Sequence, residues 1–253
     1  MIDSQIEVGF YGKLPFRGDF LHRRVPGDFV DVWDAWLQQC LHESRQQLGD
    51  QWLDAYLTGP VWRFVFAAGV CGTGAYAGIL VPSVDRVGRY FPLTITVQFD
   101  AGYCALDIAC GATEWFDSAE RLALHALEAT EMDIDQFDTQ VGQLGEQFLD
   151  RGADELARLG ALLETSPFPA PPASWHVPLS DARSLQRVVN LLAARELERT
   201  VQPMALWWSD GSQSAAPGWL TTQGLPDAKA FTAMLTGEWS RHGWTSVAEA
   251  GPR

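Results

Sequence analysis

The sequence predicts an α/β protein in which a mixed, largely antiparallel central sheet is flanked by helices, forming a layered sandwich. Three runs rich in β-branched, aromatic and other apolar residues, at 61–70, 76–81 and 91–99, are each bounded by glycine or proline, which is typical of a strand meander. Longer segments on both sides of the meander repeat their apolar residues with helical spacing. Because each helix has an apolar stripe to bury, we expect the helices to pack against the sheet.

The N-terminal part is predicted to contain a strand and two helical segments. Residues 6–11 form the first strand, and the Pro-Gly-Asp sequence at 26–28 begins a helix. The apolar positions of that helix follow helical spacing: Phe29, Trp33, Trp36, Leu37, Cys40 and Leu41. The helix is expected to end near Leu48 and Gly49, because glycine is a common C-terminal stop, and residues 51–57 add one or two further turns.

The third run of the meander alternates polar and apolar side chains. The polar positions are Thr94, Thr96 and Gln98, and the apolar ones are Ile95, Val97 and Phe99. Since successive side chains of a strand point to opposite faces, this alternation predicts a sheet with one wetter face. Two tryptophan pairs also fall at periodic positions and are expected in the core: Trp33 with Trp36, and Trp207 with Trp208.

Beyond residue 102 the pattern becomes mainly helical. Segments with helical periodicity lie at 113–130, 135–149 and 153–163. A proline-rich link at 166–174 precedes a helix from Ser180 to Leu197, strands at 204–208 and 219–222, and a last helix at 227–239. We therefore divide the chain into an α/β domain at residues 1–165 and an extension at 166–253, which consists of the proline-rich link followed by helix, strand and helix and packs on the same domain.

Composition and charge argue against polyanionic partners. The chain of 253 residues carries a net charge of −14. Its first 99 residues hold ten acidic and eight basic side chains, whereas the remaining 154 hold 22 acidic and ten basic ones. Nucleic acid and anionic membranes would repel the acidic part, so neither is expected as a partner. The chain shows no N-terminal secretion signal and no apolar segment of about 18 residues or more, which predicts a cytoplasmic protein without membrane insertion.

The motifs that would supply a metal, a cofactor or a catalytic group do not fit their required contexts. Residues 72–77 match the G-x-G-x-x-A dinucleotide fingerprint, but a strand follows where that motif needs a helix, so a hairpin turn is expected. The acidic residues between 131 and 138 lack the glycine and glutamate positions of a calcium loop. The four cysteines lack paired zinc spacing, and no serine or histidine stands in a nucleophile motif. We expect no metal, no cofactor and no catalytic residues.

Two polar segments that follow predicted strands contain the candidate site. The first holds Lys13, Arg17 and Asp19, and the second holds Ser83, Asp85, Arg86 and Arg89. Loops supported by strands commonly carry binding groups. Because the two segments carry complementary charges at the ends of adjacent-looking strands, we expect the seven residues to lie near one another. Two interpretations stay open: the polar groups pin a turn, or they form a partner-binding surface.

Six short stretches, three of them in the polar segments, form a recognisable series along the first part of the chain: Gly-Phe-Tyr-Gly-Lys-Leu-Pro at 9–15, Arg-Gly-Asp-Phe at 17–20, Trp-Asp-Ala-Trp-Leu at 33–37, Ser-Arg at 44–45, Trp-Arg-Phe at 62–64 and Pro-Ser-Val-Asp-Arg-Val-Gly-Arg at 82–89. These stretches resemble the TagF family, also called ImpM, of type VI secretion-associated proteins. They occur in the family's order, which makes a chance match improbable.

The resemblance implies a role in regulation. Proteins of this family are implied to be non-enzymatic, post-translational negative regulators of the bacterial type VI secretion system, which bind and sequester the forkhead-associated scaffold protein that promotes its assembly. The competing interpretation is a small-ligand or phosphate-binding module, or a hydrolytic enzyme, that uses Asp85, Arg86 and Arg89 with Lys13 and Arg17. A concave cleft with perturbed acid–base groups would favour that alternative, whereas a flat or convex face beside exposed aromatic residues would favour partner binding.

Overall fold

The computed structural model describes residues 6–99, 105–129, 132–148, 197 and 199–245. Its strands are β1 (Val8–Gly12), β2 (Leu21–Arg23), β3 (Trp62–Phe66), β4 (Ala75–Val81), β5 (Leu93–Phe99), β6 (Met204–Ser209) and β7 (Gly218–Gln223). They form one sheet in the order β2-β1-β5-β4-β3-β6-β7, in which every neighbouring pair is antiparallel.

Helices cover both faces of this sheet. They are α1 (Gly27–Leu48), α2 (Trp52–Leu57), α3 (Ala105–Gly111), α4 (Thr113–Glu128), α5 (Ile134–Phe148) and α6 (Phe231–Thr236). One hydrophobic core lies between the sheet and α1, α2 and α6, and a second lies between the sheet and α3, α4 and α5. The predicted α/β class and layered sandwich are therefore confirmed.

Tryptophans on α1 build the first core, because helical spacing puts them on one face of the helix. Trp33 is fully buried, and its ring stacks on Trp36 with the centroids 4.9 Å apart and on Trp207 of β6 at 5.9 Å. Its indole Nε1 donates a hydrogen bond of 2.9 Å to the Thr94 hydroxyl on β5. This bond satisfies a polar group that would otherwise be costly to bury.

An arginine ties the sheet to α4 on the second face. Arg63 of β3 is 8% exposed, and its guanidinium lies 2.7 Å from a carboxylate oxygen of Glu120, 3.0 Å from one of Asp117 and 3.2 Å from one of Asp210. The carboxylates offset the cost of burying its charge.

The prediction of one wetter sheet face is wrong for two of its three positions. Thr94 and Thr96 are 0% and 2% exposed, and only Gln98 is exposed. The threonines can be buried because their hydroxyls are satisfied: Thr94 accepts from Trp33, and Thr96 donates to the Ala77 carbonyl at 2.9 Å. The alternation of polar and apolar residues in β5 therefore reflects buried threonines that form hydrogen bonds beneath the helices, not a face of the sheet that contacts solvent.

Residues after 200 join the same sheet, since β6 pairs with β3 and β7 with β6. The strands predicted at 204–208 and 219–222 are thus confirmed, whereas β2 and α3 were not predicted as separate elements. The helices predicted at 153–163 and from Ser180 towards Leu197, and the proline-rich link between them, lie outside the described residues. Among the described helices, none combines the length and apolar character that a membrane span requires.

Candidate functional site

The two polar segments meet at one end of the sheet. The Ser83 hydroxyl donates to the Lys13 carbonyl at 2.7 Å, and the Arg86 backbone N–H donates to the Arg17 carbonyl at 2.9 Å. The Arg89 guanidinium donates to the Gly18 carbonyl. Their predicted proximity is confirmed by these contacts; Asp19 belongs to the first segment, next to Gly18, and is exposed.

A buried ion pair joins the segments. Lys13 Nζ lies 2.7 Å from Asp85 Oδ2, and the Asp85 side chain is fully buried. The same oxygen accepts from Arg89 Nε at 2.7 Å, while Oδ1 accepts from the backbone N–H groups of Val87 at 3.0 Å and Arg89 at 2.9 Å. Four donors therefore occupy this carboxylate, which meets the condition for burying a charge without a large penalty.

These contacts fix the protonation state of Asp85. Burial alone raises the pKa of a carboxyl group, but the hydrogen bonds from Lys13, from Arg89 and from the Val87 amide outweigh it and hold the pKa of Asp85 well below its usual range. Asp85 is consequently ionised at neutral pH. A carboxylate of such low basicity is poorly suited to accept a proton in general base catalysis.

The local sequence explains why the chain turns around Asp85. Gly88 adopts φ 86°, and its N–H donates to the Asp85 carbonyl at 3.0 Å, which closes the turn. An aspartate at the start of such a turn can hydrogen-bond to the amides that follow it, as Asp85 does here. The flanking residues Val84 and Tyr90 form an antiparallel bridge that leads the chain back towards β5.

Glycine is required just before Lys13. Gly12 has φ 132°, and a Cβ atom at this position would overlap the Pro92 carbonyl oxygen. The absence of a side chain allows β1 to end close to the start of β5. Lys13, the next residue, then lies within hydrogen-bonding distance of Asp85 in the second segment.

Tyr56 of α2 fixes the second segment through two hydrogen bonds to Ser83, and the sequence did not predict this role. Its hydroxyl donates to the Ser83 carbonyl at 2.9 Å and accepts from the Ser83 N–H at 3.0 Å. Burial raises the pKa of the phenol, so the hydroxyl keeps the proton that it donates. No sequence pattern distinguishes this tyrosine from an ordinary core residue, since its partner is 27 positions away.

Burial divides the seven predicted residues into two groups. Lys13, Ser83 and Asp85 are buried and hold the two segments together. The other four are exposed: Arg17, Asp19, Arg86 and Arg89.

Two large hydrophobic residues, also missed by the sequence analysis, are exposed beside this second group: Phe20 at 48% and Val87 at 65%. We call the six exposed residues, Arg17, Asp19, Phe20, Arg86, Val87 and Arg89, the loop surface.

Among the described residues, no group of three or more histidine, cysteine, aspartate or glutamate side chains is placed to hold a metal ion. Residues 72–77 lie in the turn between β3 and β4 and at the start of β4, not before a helix, so the predicted hairpin turn is confirmed. A groove of about 510 Å³ lies elsewhere, between Trp36 and His42 on α1 and the turn at 226–229.

Comparison with known proteins places both segments inside a family match. The model of the TagF N-terminal domain, described as type VI secretion system-associated, matches residues 9–144. The crystal structure of PA0076 from Pseudomonas aeruginosa PAO1, at 2.05 Å resolution, is 36% identical in sequence and aligns with a TM-score of 0.70 over 91% of this chain and 94% of that chain. The comparison with curated proteins finds no match.

Proposed function

Since the chain belongs to the TagF family of type VI secretion system-associated proteins, we propose that it is a non-enzymatic negative regulator of the secretion system. In this proposal it acts after translation, by binding and sequestering the forkhead-associated scaffold protein of the apparatus. The loop surface supplies the binding residues, and the buried group of Lys13, Ser83 and Asp85 keeps that surface in place.

The observation that carries the proposal is the exposure of arginine and hydrophobic side chains on a rigid support. Arginine and aromatic residues are enriched in protein interfaces and among the residues that contribute most to binding. Here Arg86 and Val87 are exposed in a turn that is fixed by the fully bonded Asp85 carboxylate. A fixed turn loses little conformational entropy when a partner binds, which favours affinity.

The alternative, a ligand-binding module or hydrolytic enzyme at the same residues, has less support. Asp85 and Lys13 are the acid–base groups named for this alternative, but each is committed to the other in a buried pair. The groove of about 510 Å³ is lined by residues of α1 and of the turn at 226–229, none of which belongs to the two polar segments.

The proposal is tested with the purified protein and the purified forkhead-associated scaffold protein of the same secretion system. We expect a complex that co-elutes in size-exclusion chromatography, and we expect overproduction of the protein to lower secretion into the culture medium without lowering the amount of the scaffold protein. Failure to form a complex would contradict the sequestration mechanism. Hydrolysis of a phosphate ester by the purified protein, lost in an Arg86→Glu variant, would instead support the enzymatic alternative.

A further inference from the structure

We propose that the loop surface docks an acidic face of the partner protein, with Phe20 as the apolar anchor and Arg17, Arg86 and Arg89 as the surrounding cationic groups. This inference rests on the proposed function and specifies the chemistry of the partner's binding face.

Hydrogen bonds to the backbone of residues 17 and 18 bring the three arginines together. Arg17 and Arg86 are joined through the hydrogen bond of 2.9 Å between their main chains, and Arg89 reaches the carbonyl of Gly18, which follows Arg17 directly. Within the described part of the chain, no carboxylate pairs with the guanidinium groups of Arg17 or Arg86. Two cationic side chains are thus free to meet carboxylates of another molecule.

Arg89 is oriented before any partner arrives. Its Nε donates to Asp85 Oδ2 at 2.7 Å and its Nη2 to the Gly18 carbonyl, yet 59% of the side chain is exposed. A guanidinium has five N–H donors, so this anchoring leaves donors for a partner carboxylate. An arginine held in this way loses less conformational entropy on binding than a free one.

Phe20 provides an apolar contact that is supported from within. Its ring centroid lies 4.8 Å from that of Phe91 and 5.8 Å from that of Tyr11, and Lys13 Nζ lies 4.8 Å from the ring centroid. These contacts hold the ring on one side, while 48% of the residue is exposed. A supported aromatic ring with an open face is suited to fill a pocket of a partner.

Charge identifies the kind of partner. The loop surface carries three arginines and one carboxylate, Asp19, on a chain whose net charge is −14. A partner with a basic face would be attracted to most of this acidic protein and repelled by these arginines, so charge would not direct it to the loop surface. An acidic face is attracted at the loop surface and repelled elsewhere, which favours docking at this surface.

The test uses the purified forkhead-associated scaffold protein as the probe and compares Phe20→Ala and the double variant Arg17→Glu/Arg86→Glu with matched controls. Leu124→Ala removes a hydrophobic side chain of similar exposure, 39%, from α4 on the opposite face of the sheet. Arg121→Glu reverses an exposed charge on the same helix. We expect Phe20→Ala to raise Kd about 30-fold, through faster dissociation, and the controls to leave it within about threefold.

Salt dependence tests the electrostatic part. We expect the affinity of the wild-type protein to fall as sodium chloride is raised, and the double variant to bind more weakly and with a smaller salt dependence. Thermal unfolding of each variant is measured in parallel, and since the substituted side chains are exposed, unchanged melting temperatures are expected.

The results distinguish the docking of an acidic face at the loop surface from the proposed regulatory function. If the scaffold protein binds but neither variant weakens it, the docking inference is overturned while the proposed function stands. If the wild-type protein forms no complex, both fall. Displacement of the scaffold protein by inorganic phosphate at constant ionic strength would mark a phosphate site and would also overturn the inference. Should Phe20→Ala lower the melting temperature, the charge-reversal variant and its salt dependence decide alone.

Discussion

The ion pair of Lys13 and Asp85 links two chain segments that are 72 residues apart. Such a pair is weak support for stability as a whole, because removing two charges from water costs about as much as their attraction returns. Breaking it is different, because the remaining partner is left charged and buried. Its role here is to fix where the exposed arginines lie.

We expect Asp85→Asn to lower the free energy of unfolding by about 3–5 kcal/mol at neutral pH, because Lys13 then has no counter-charge. Denaturant unfolding curves measure this loss. The control is Asp19→Asn, which neutralises an exposed carboxylate of the first segment and should cost at most about 0.5 kcal/mol. The double variant Lys13→Met/Asp85→Asn should be more stable than the sum of the single losses predicts. Simple additivity would show that the two groups do not interact.

The pKa of Asp85 gives this prediction a pH dependence. Its pKa is lowered in the folded protein, so as the pH falls below about 4 the unfolded chain takes up the proton first. The stabilisation is therefore complete above the unfolded pKa and is lost as the pH falls towards the folded pKa. The wild-type protein should lose more unfolding free energy between pH 6 and pH 3 than Asp85→Asn does. Parallel pH curves for the two proteins would contradict this assignment.

Among the elements, the ends of β1 and β5 determine whether the two segments can meet. β1 pairs with β5 from Val8 to Tyr11, and Gly12 then lies close to Pro92. Lys13 follows directly and pairs with Asp85 of the second segment. α2 contributes the Tyr56 hydroxyl from the other side. The site is thus held by two strand ends and one short helix, none of which contacts the partner in our proposal.

Gly12→Ala is expected to lower the free energy of unfolding by about 1–3 kcal/mol, because an alanine is strained at φ 132° and its Cβ would overlap the Pro92 carbonyl. Thermal or denaturant unfolding measures the loss. Gly18→Ala is the matched control, since a Cβ there would have no neighbouring atom within 4 Å. Equal stability of the two variants would show that the close approach of β1 to β5 is not required.

For the molecule as a whole, the sheet is completed by residues that lie beyond the family match. That match ends at residue 144, yet Trp207 of β6 is fully buried against Trp33, with the ring centroids 5.9 Å apart, and against Phe66 of β3 at 5.0 Å. The C-terminal strands are therefore part of the same core as the N-terminal helix α1.

We expect Trp207→Ala to lower the free energy of unfolding by about 3–5 kcal/mol, because it leaves a cavity under α1. Trp219→Ala on the neighbouring strand is the control: this side chain is 57% exposed, and its loss should cost about 0.5 kcal/mol or less. Chemical denaturation compares the two. A small effect of Trp207→Ala would mean that β6 contributes little to the common core.

Local pattern was enough to predict most of the described elements and to identify the seven polar residues of the two segments, but not Tyr56, Phe20 or Val87. The helix from Gly27 to Leu48 follows from the spacing of its aromatic residues and its glycine stop, and the three meander strands follow from β-branched runs between glycine and proline. These features are visible because a helix or strand must present its apolar residues with its own period. The edge strand β2 has three residues, too few to show a period.

The sequence by itself determined the element types, the fold class and the family resemblance, and it identified the polar residues of the two segments. Only the tertiary structure decided that β6 lies beside β3, that Thr94 and Thr96 are buried, that Tyr56 supports Ser83, and that Asp85 is enclosed while Arg86 is exposed. The physical reason is that the spacing of apolar residues along a helix or strand indicates only which of its faces is buried. Which elements come together depends on the packing and hydrogen bonding of residues far apart in the chain, and their local sequence carries no mark of that pairing.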